Sequence, residues 1–111
     1  MSILFDENKK LFTLETAHAS YQMFVNAYGF LQHLHFGEKL GGGSCEGLQG
    51  TGFMSFSPAP DVAGNDYLAS PDLTQQEYPV FGSGDYRSHC MAVTFADGGR
   101  NPELCYQSHR I

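Results

Sequence analysis

Through the first 36 residues, apolar positions recur in short runs separated by polar turns. "ILFD" (3–6), "ENKK" (7–10) and "LFTLET" (11–16) read as strand, turn and strand. "ASYQMFVN" (19–26) alternates, with Tyr21, Met23 and Val25 on one face and Gln22, Phe24 and Asn26 on the other. "AYG" (27–29) is a turn in which Gly29 is free to take positive φ. "FLQHLHF" (30–36) alternates again, setting Phe30, Gln32, Leu34 and Phe36 against Leu31, His33 and His35. Four short strands at this spacing predict an antiparallel meander.

Residues 37–81 lose that pattern. "GEKLGGGSCEGLQGTG" is glycine-rich, and "FMSFSPAPDVAGNDYLASPDLTQ" holds three of the five prolines. A run this long without strands is uncommon inside a domain. Its apolar residues Phe53, Met54, Phe56 and Tyr67 need cover, which predicts an ordered excursion folded back over a sheet or a neighbouring surface. "HCMAVTFA" (89–96) then reads as a strand, "DGGRNPE" (97–103) as a turn and "LCYQSHRI" (104–111) as a further strand. No helix is predicted. Six or seven strands give an all-β fold, an antiparallel β-sandwich or a barrel. The last strand ends abruptly at Ile111, so the expectation is one domain over 1–111 that is part of a larger sandwich.

Composition narrows the function classes. A chain of 111 residues suits one small domain. Net charge is −6 with only six Lys and Arg, which is no footprint for nucleic acid or for an anionic membrane. Neutral ligands such as sugars remain open, since they need no steering field. The cysteines, Cys45, Cys90 and Cys105, are odd in number and lack CxxC spacing. The N-terminus has no signal-peptide pattern and no stretch approaches the ~18 apolar residues of a membrane span. The expectation is a cytoplasmic protein with reduced thiols.

Several residues carry candidate chemistry. His33 and His35 form an HxH pair on one strand face, a metal half-site if the fold supplies further ligands. The plainer reading is two histidines on a half-exposed face. Cys90 and Cys105 lie in apolar runs and read as small buried hydrophobes. "GSGD" (82–85) resembles part of a phosphate loop but lacks the following lysine and helix. Asp61, Asp66, Asp72, Glu77 and Asp85 are available for paired-carboxylate chemistry, though most sit in the long loop. Asp85 and Arg87, two apart, share a face in extended chain, where Arg87 can fork a carboxylate or bond backbone carbonyls. The structural reading is favoured for that pair.

"QEYPVFGSGDYR" (76–87) closely resembles the Q-E-Y-P-x-x-G-x-x-D-[FY]-R motif in the N-terminal domain of family 36 glycoside hydrolases, the bacterial-type α-galactosidases. "FDENKKLFTLETAHASYQM" resembles the family's opening strands, with Phe12, Leu14, Ser20 and Tyr21 at matching places. "GFLQHLHFGEKL" is similar to G-x-L-x-H-x-Y-x-G, with His35 in place of the usual Tyr. "FSPAP" and "DGGRNPELCYQSHRI" match further motifs in order. The resemblance implies an N-terminal β-supersandwich followed in the parent enzyme by a catalytic (β/α)₈ barrel, absent from this chain. It implies a retaining hydrolase of terminal α-galactosides of the melibiose and raffinose type. The aspartate nucleophile and acid/base lie on the barrel, so no catalytic residue is expected here.

Under that resemblance, Glu77, Tyr78, Gly82, Asp85 and Arg87 form a structural corner leading from the long loop into a core strand. The glycines turn the backbone, the tyrosines plug the sandwich edge, and Asp85 and Arg87 fix the geometry. In tetrameric members, a loop before the F-S-P motif reaches a neighbouring subunit's sugar site. The matching positions are Phe53 and Met54, expected to contact substrate there. The implied partners are α-galactoside sugars and further copies of the parent in a homo-oligomer; no metal, cofactor, nucleic acid or membrane is implied. A stand-alone carbohydrate-binding or protein-interaction module, and a small metal-binding barrel using His33 and His35, stay open as alternatives.

Overall fold

The computed structural model describes residues 1–50, 52, 54–64, 66–82, 84 and 86–111. Strands β1 (Ser2–Asp6), β2 (Leu11–Glu15), β3 (Ala19–Val25) and β4 (Leu31–Glu38) form one antiparallel sheet in chain order. This is the all-β meander that the alternation predicts. Each turn is closed by a side chain suited to it. Asp6 Oδ1 accepts the backbone N–H groups of Asn8 and Lys9, and Thr16 Oγ1 accepts those of His18 and Ala19. Asn26 Oδ1 accepts from Tyr28 and Phe30, with Gly29 at φ +88 completing the turn. Short polar side chains of this kind satisfy turn amides that the ladder leaves open.

The period of two puts Leu11 opposite Phe24, and the pair buries with Leu34 on one face of the sheet. The other face carries Phe12, Tyr21, Met23, Val25, Leu31 and His33. Burying each large apolar side chain stabilises the fold by about 1.5–3 kcal/mol. Between Gln22 and Met23 the register with β4 slips by one: Met23 faces His33, whereas Gln22 faces His35. Leu34 is the extra residue, a β-bulge. The bulge overturns the simple alternation of 30–36. His33 and His35 point to opposite faces, and Phe36 lands opposite Tyr21 rather than beside Gln32.

The long loop folds back over the Leu11/Phe24/Leu34 face. Gln22, fully buried, donates to Thr13 Oγ1 (3.0 Å) and the Gly43 carbonyl (2.9 Å) and accepts from Cys45 N–H (2.9 Å). Ser20 Oγ accepts from Leu40 N–H and donates to Glu15. Within the loop, short 3-10 turns span Glu46–Leu48, Asp61–Ala63, Tyr67–Ala69 and Pro71–Leu73. Residues 75–77 run back along β4 through His33 N–H to the Gln75 carbonyl and Glu77 N–H to the Leu31 carbonyl.

Among the described residues the strands number four rather than six or seven. Residues 89–96 and 104–111 form no ladder among the described residues beyond one Val80–Met91 bridge. The turn between them forms, with Gly98 at φ +86 and Phe95 N–H bonded to the Gly99 carbonyl. Alternating sequence gives strand propensity, but a ladder also needs a backbone alongside, and among the described residues these runs meet other backbone only at isolated points: Cys90 and Met91 against Pro79 and Phe81, and Tyr106 against Gly29. The 104–111 run packs its rings on the sheet instead: Tyr106 and His109 contact Phe12, and His109 contacts Phe5.

Candidate functional site

The motif segment 75–91 is anchored at both ends. At its start, Glu77 reaches across β4 to the sheet. The Tyr21 hydroxyl donates to one carboxylate oxygen, and His33 Nδ1 lies 3.1 Å from the other. The Tyr21 ring meets His33 edge-on at 5.2 Å and Phe36 at 5.9 Å. Burial pushes the Tyr21 hydroxyl pKa well above its ordinary value, and its bond to the Glu77 carboxylate adds to the rise. Both Glu77 oxygens are thus engaged by side chains of the sheet. The group works as a clamp between 75–77 and β3–β4, and is not presented as a free acid or nucleophile.

Further on, Cys90 N–H bonds the Pro79 carbonyl and Phe81 N–H bonds the Met91 carbonyl, tying Pro79–Phe81 to Cys90–Met91. Val80 between them is buried. Gly82 takes φ +91, and a Cβ there would sit 2.0 Å from the Arg100 carbonyl oxygen, so only glycine fits. The Arg100 guanidinium covers the Phe81 ring at 4.4 Å. Arg87 donates to the carbonyls of Pro71 (3.3 Å) and Asp72 (3.4 Å), the backbone-carbonyl role open to it from sequence. Tyr78 is half-exposed and Tyr86 is 87% exposed. The expectation that both tyrosines plug an edge therefore fails for Tyr86, whose ring stands in solvent. Asp85 lies outside the described residues.

A hydroxyl cluster ties this loop to the middle of the chain. Ser55 Oγ donates to Asp72 (2.6 Å) and touches Ser70 Oγ (3.0 Å), and the Ser57 hydroxyl donates to the Gly84 carbonyl. Burial alone would raise the Asp72 pKa; hydrogen bonds from Ser55, Ser70 and backbone amides outweigh it and hold the carboxyl below the usual range. Met54, 63% exposed, and Phe56, 91% exposed, project from this clasp. Phe53 lies outside the described residues. The clasp was not legible in sequence: three scattered serines give no periodic signal, and only the folded loop brings them to one carboxylate.

The other candidates are dispersed. His33 and His35 cannot share an ion across opposite faces, and no group of three His, Cys, Asp or Glu residues suited to a metal occurs among the described residues. All three cysteines are free; Cys90 is exposed rather than buried, because its run forms no strand, and Cys105 is half-buried.

Comparison with known proteins gives the same direction throughout. The chain is 40% identical over 111 residues to the bifunctional alpha-galactosidase/sucrose kinase AgaSK of Mediterraneibacter gnavus, covering all of this chain and 12% of that protein. It is 32% identical over 115 residues to alpha-galactosidase AgaA of Geobacillus stearothermophilus, covering 15% of it. Among solved structures, the galactosidase domain of AgaSK superposes with a TM-score of 0.88 at 39% identity, over 96% of this chain and 15% of that one. The GH36 alpha-galactosidase AgaB from Geobacillus stearothermophilus gives 0.80 at 31% identity, over 99% and 14%. The chain thus spans about an eighth to a seventh of the length of these relatives. The profile of the glycosyl hydrolase family 36 N-terminal domain matches residues 29–111, and the chain belongs to that family.

Proposed function

We propose that this chain serves as the non-catalytic N-terminal β-sandwich portion of a retaining α-galactosidase acting on terminal α-galactosides of the melibiose and raffinose type. The observation that carries the reading is the match along the whole chain to α-galactosidases in which it makes up a small N-terminal share. The occupied carboxylates favour a supporting role: Glu77 is held by Tyr21 and His33, and Asp72 by serine hydroxyls. We also assign the clasp at 54–57 to oligomer contacts and the rim of a sugar site. Met54 and Phe56 give it apolar surface of the kind that stacks on a pyranose or packs on a neighbour. The reading includes a cytoplasmic setting, which the three free thiols favour.

The test starts from the gene. Reading the coding DNA past Ile111 is expected to reveal a (β/α)₈ barrel with aspartates at the C-terminal ends of its strands. Hydrolysis of p-nitrophenyl α-galactoside is then expected of the whole gene product and not of the 111-residue chain. A stop codon after Ile111, or turnover by the chain alone, overturns the proposal. For the rim, Met54→Ala in the whole enzyme is expected to raise KM for melibiose or to weaken the oligomer. Unchanged KM and sedimentation would remove that assignment.

A further inference from the structure

The turn between β3 and β4 and the arm at 66–74 enclose an open cleft of about 420 Å3. Its lining mixes planar amides and hydroxyls with a small apolar floor: Asn26, Tyr28, Gln32, Asp66 and Thr74 around Phe24. The charged groups at its rim are already engaged by the chain. Lys9 Nζ lies 2.8 Å from Glu46, and Asp66 accepts from the Tyr28 hydroxyl and from Leu68 N–H. The chain's net charge of −6 adds no attraction for an anion.

Gln32 gives the cleft its meaning. It is 8% exposed, yet its side-chain amide has no hydrogen-bond partner among the described residues. No fully sealed side-chain nitrogen or oxygen goes unpartnered among them, so this amide takes its access from the cleft it lines. A carboxamide offers a donor and an acceptor side by side, which matches adjacent hydroxyls on a ring. A few hundred Å3 with a few convergent polar groups is the ordinary form of a small-ligand site.

We propose that this cleft binds a small neutral polyhydroxylated ligand, a saccharide of one or two rings, with the Gln32 amide paired to its hydroxyls. The site is separate from the clasp at 54–57 and stands whether or not the proposed function does.

The experiment titrates the ¹⁵N-labelled full chain with methyl α-galactopyranoside, methyl α-glucopyranoside and sucrose, each to about 50 mM, a range suited to weak binding. Saturable shifts of the Gln32 side-chain NH₂ pair and of the Asn26, Tyr28 and Asp66 amides are expected with at least one of them. Gln32→Met is expected to weaken binding about tenfold, because it removes the donor and acceptor that face the sugar hydroxyls. Leu4→Ala, on β1 and outside the cleft, is expected to leave the titration unchanged. No saturable shift at these residues with any of the three sugars means the cleft holds only water and overturns the proposal. Binding undiminished in Gln32→Met also overturns it.

Discussion

Single residues decide how tightly the motif corner and the loop are held. Gly82 is the strictest case: positive φ and a carbonyl at contact distance both exclude a side chain. Gly82→Ala is expected to cost roughly 3 kcal/mol, the scale of a strained backbone position combined with a steric shift, read as a lower denaturation midpoint. Tyr21 gives a pH signature. Its hydroxyl pKa is raised in the fold, chiefly by burial and then by Glu77, so the folded state holds the proton more tightly than the unfolded chain. The resulting stability is fully present below the ordinary tyrosine value of 10.0 and declines as pH rises above it. Tyr21→Phe is expected to flatten that alkaline limb in unfolding curves between pH 9 and 11; an unchanged limb would refute the assignment. At this scale the sequence was half legible. Gly82 and Arg87 stood out by residue type, but Gln22 and Gln32 looked like polar partners in an alternating strand. That Gln22 would be sealed under a loop and fully bonded depends on contacts 21 and 23 residues away.

At the scale of elements, the meander was readable because each of its strands finds its partner within a short turn. The two C-terminal runs carry the same alternation and do not become strands, since propensity supplies no backbone neighbour. Hydrogen exchange is expected to separate the two cases: slow amides in β2 and β3, fast amides at Ala92, Val93 and Thr94. Equal protection across both regions would contradict the topology. The bulge was invisible for another reason: a period-two pattern has no mark for an extra residue when that residue is itself apolar. Leu34→Ala is expected to destabilise by about 2–5 kcal/mol, as for other buried leucines, because the bulged side chain fills the core with Leu11 and Phe24.

For the whole molecule, surface area is the informative quantity. The chain exposes 7292 Å2, whereas a folded monomer of 12.2 kDa is expected to expose about 6,100 Å2. The excess is comparable to or larger than one side of an ordinary protein interface, about 800 Å2. Phe36, Phe56, Tyr86 and Leu4 are prominent in it. The radius of gyration, 15.1 Å, likewise exceeds the roughly 13 Å of a compact domain this long. The isolated chain is therefore expected to self-associate at tens of micromolar, visible as a rising weight-average mass in sedimentation. A strictly monomeric species with one sharp unfolding transition would refute this. Motif order was legible where composition was not, because the motifs fall on turns, clamps and corners, such as Asp6, Glu77 and Gly82.

The extra residue at Leu34 also has a genetic reading. Losing that one codon would leave every remaining pairing of β4 intact, with His33 still opposite Met23 and His35 still opposite Gln22. Were a family member to lack the bulge, the gap in its alignment would therefore belong at 34. Placed a few columns away, it would mistake inward-facing positions for outward-facing ones between the two placements.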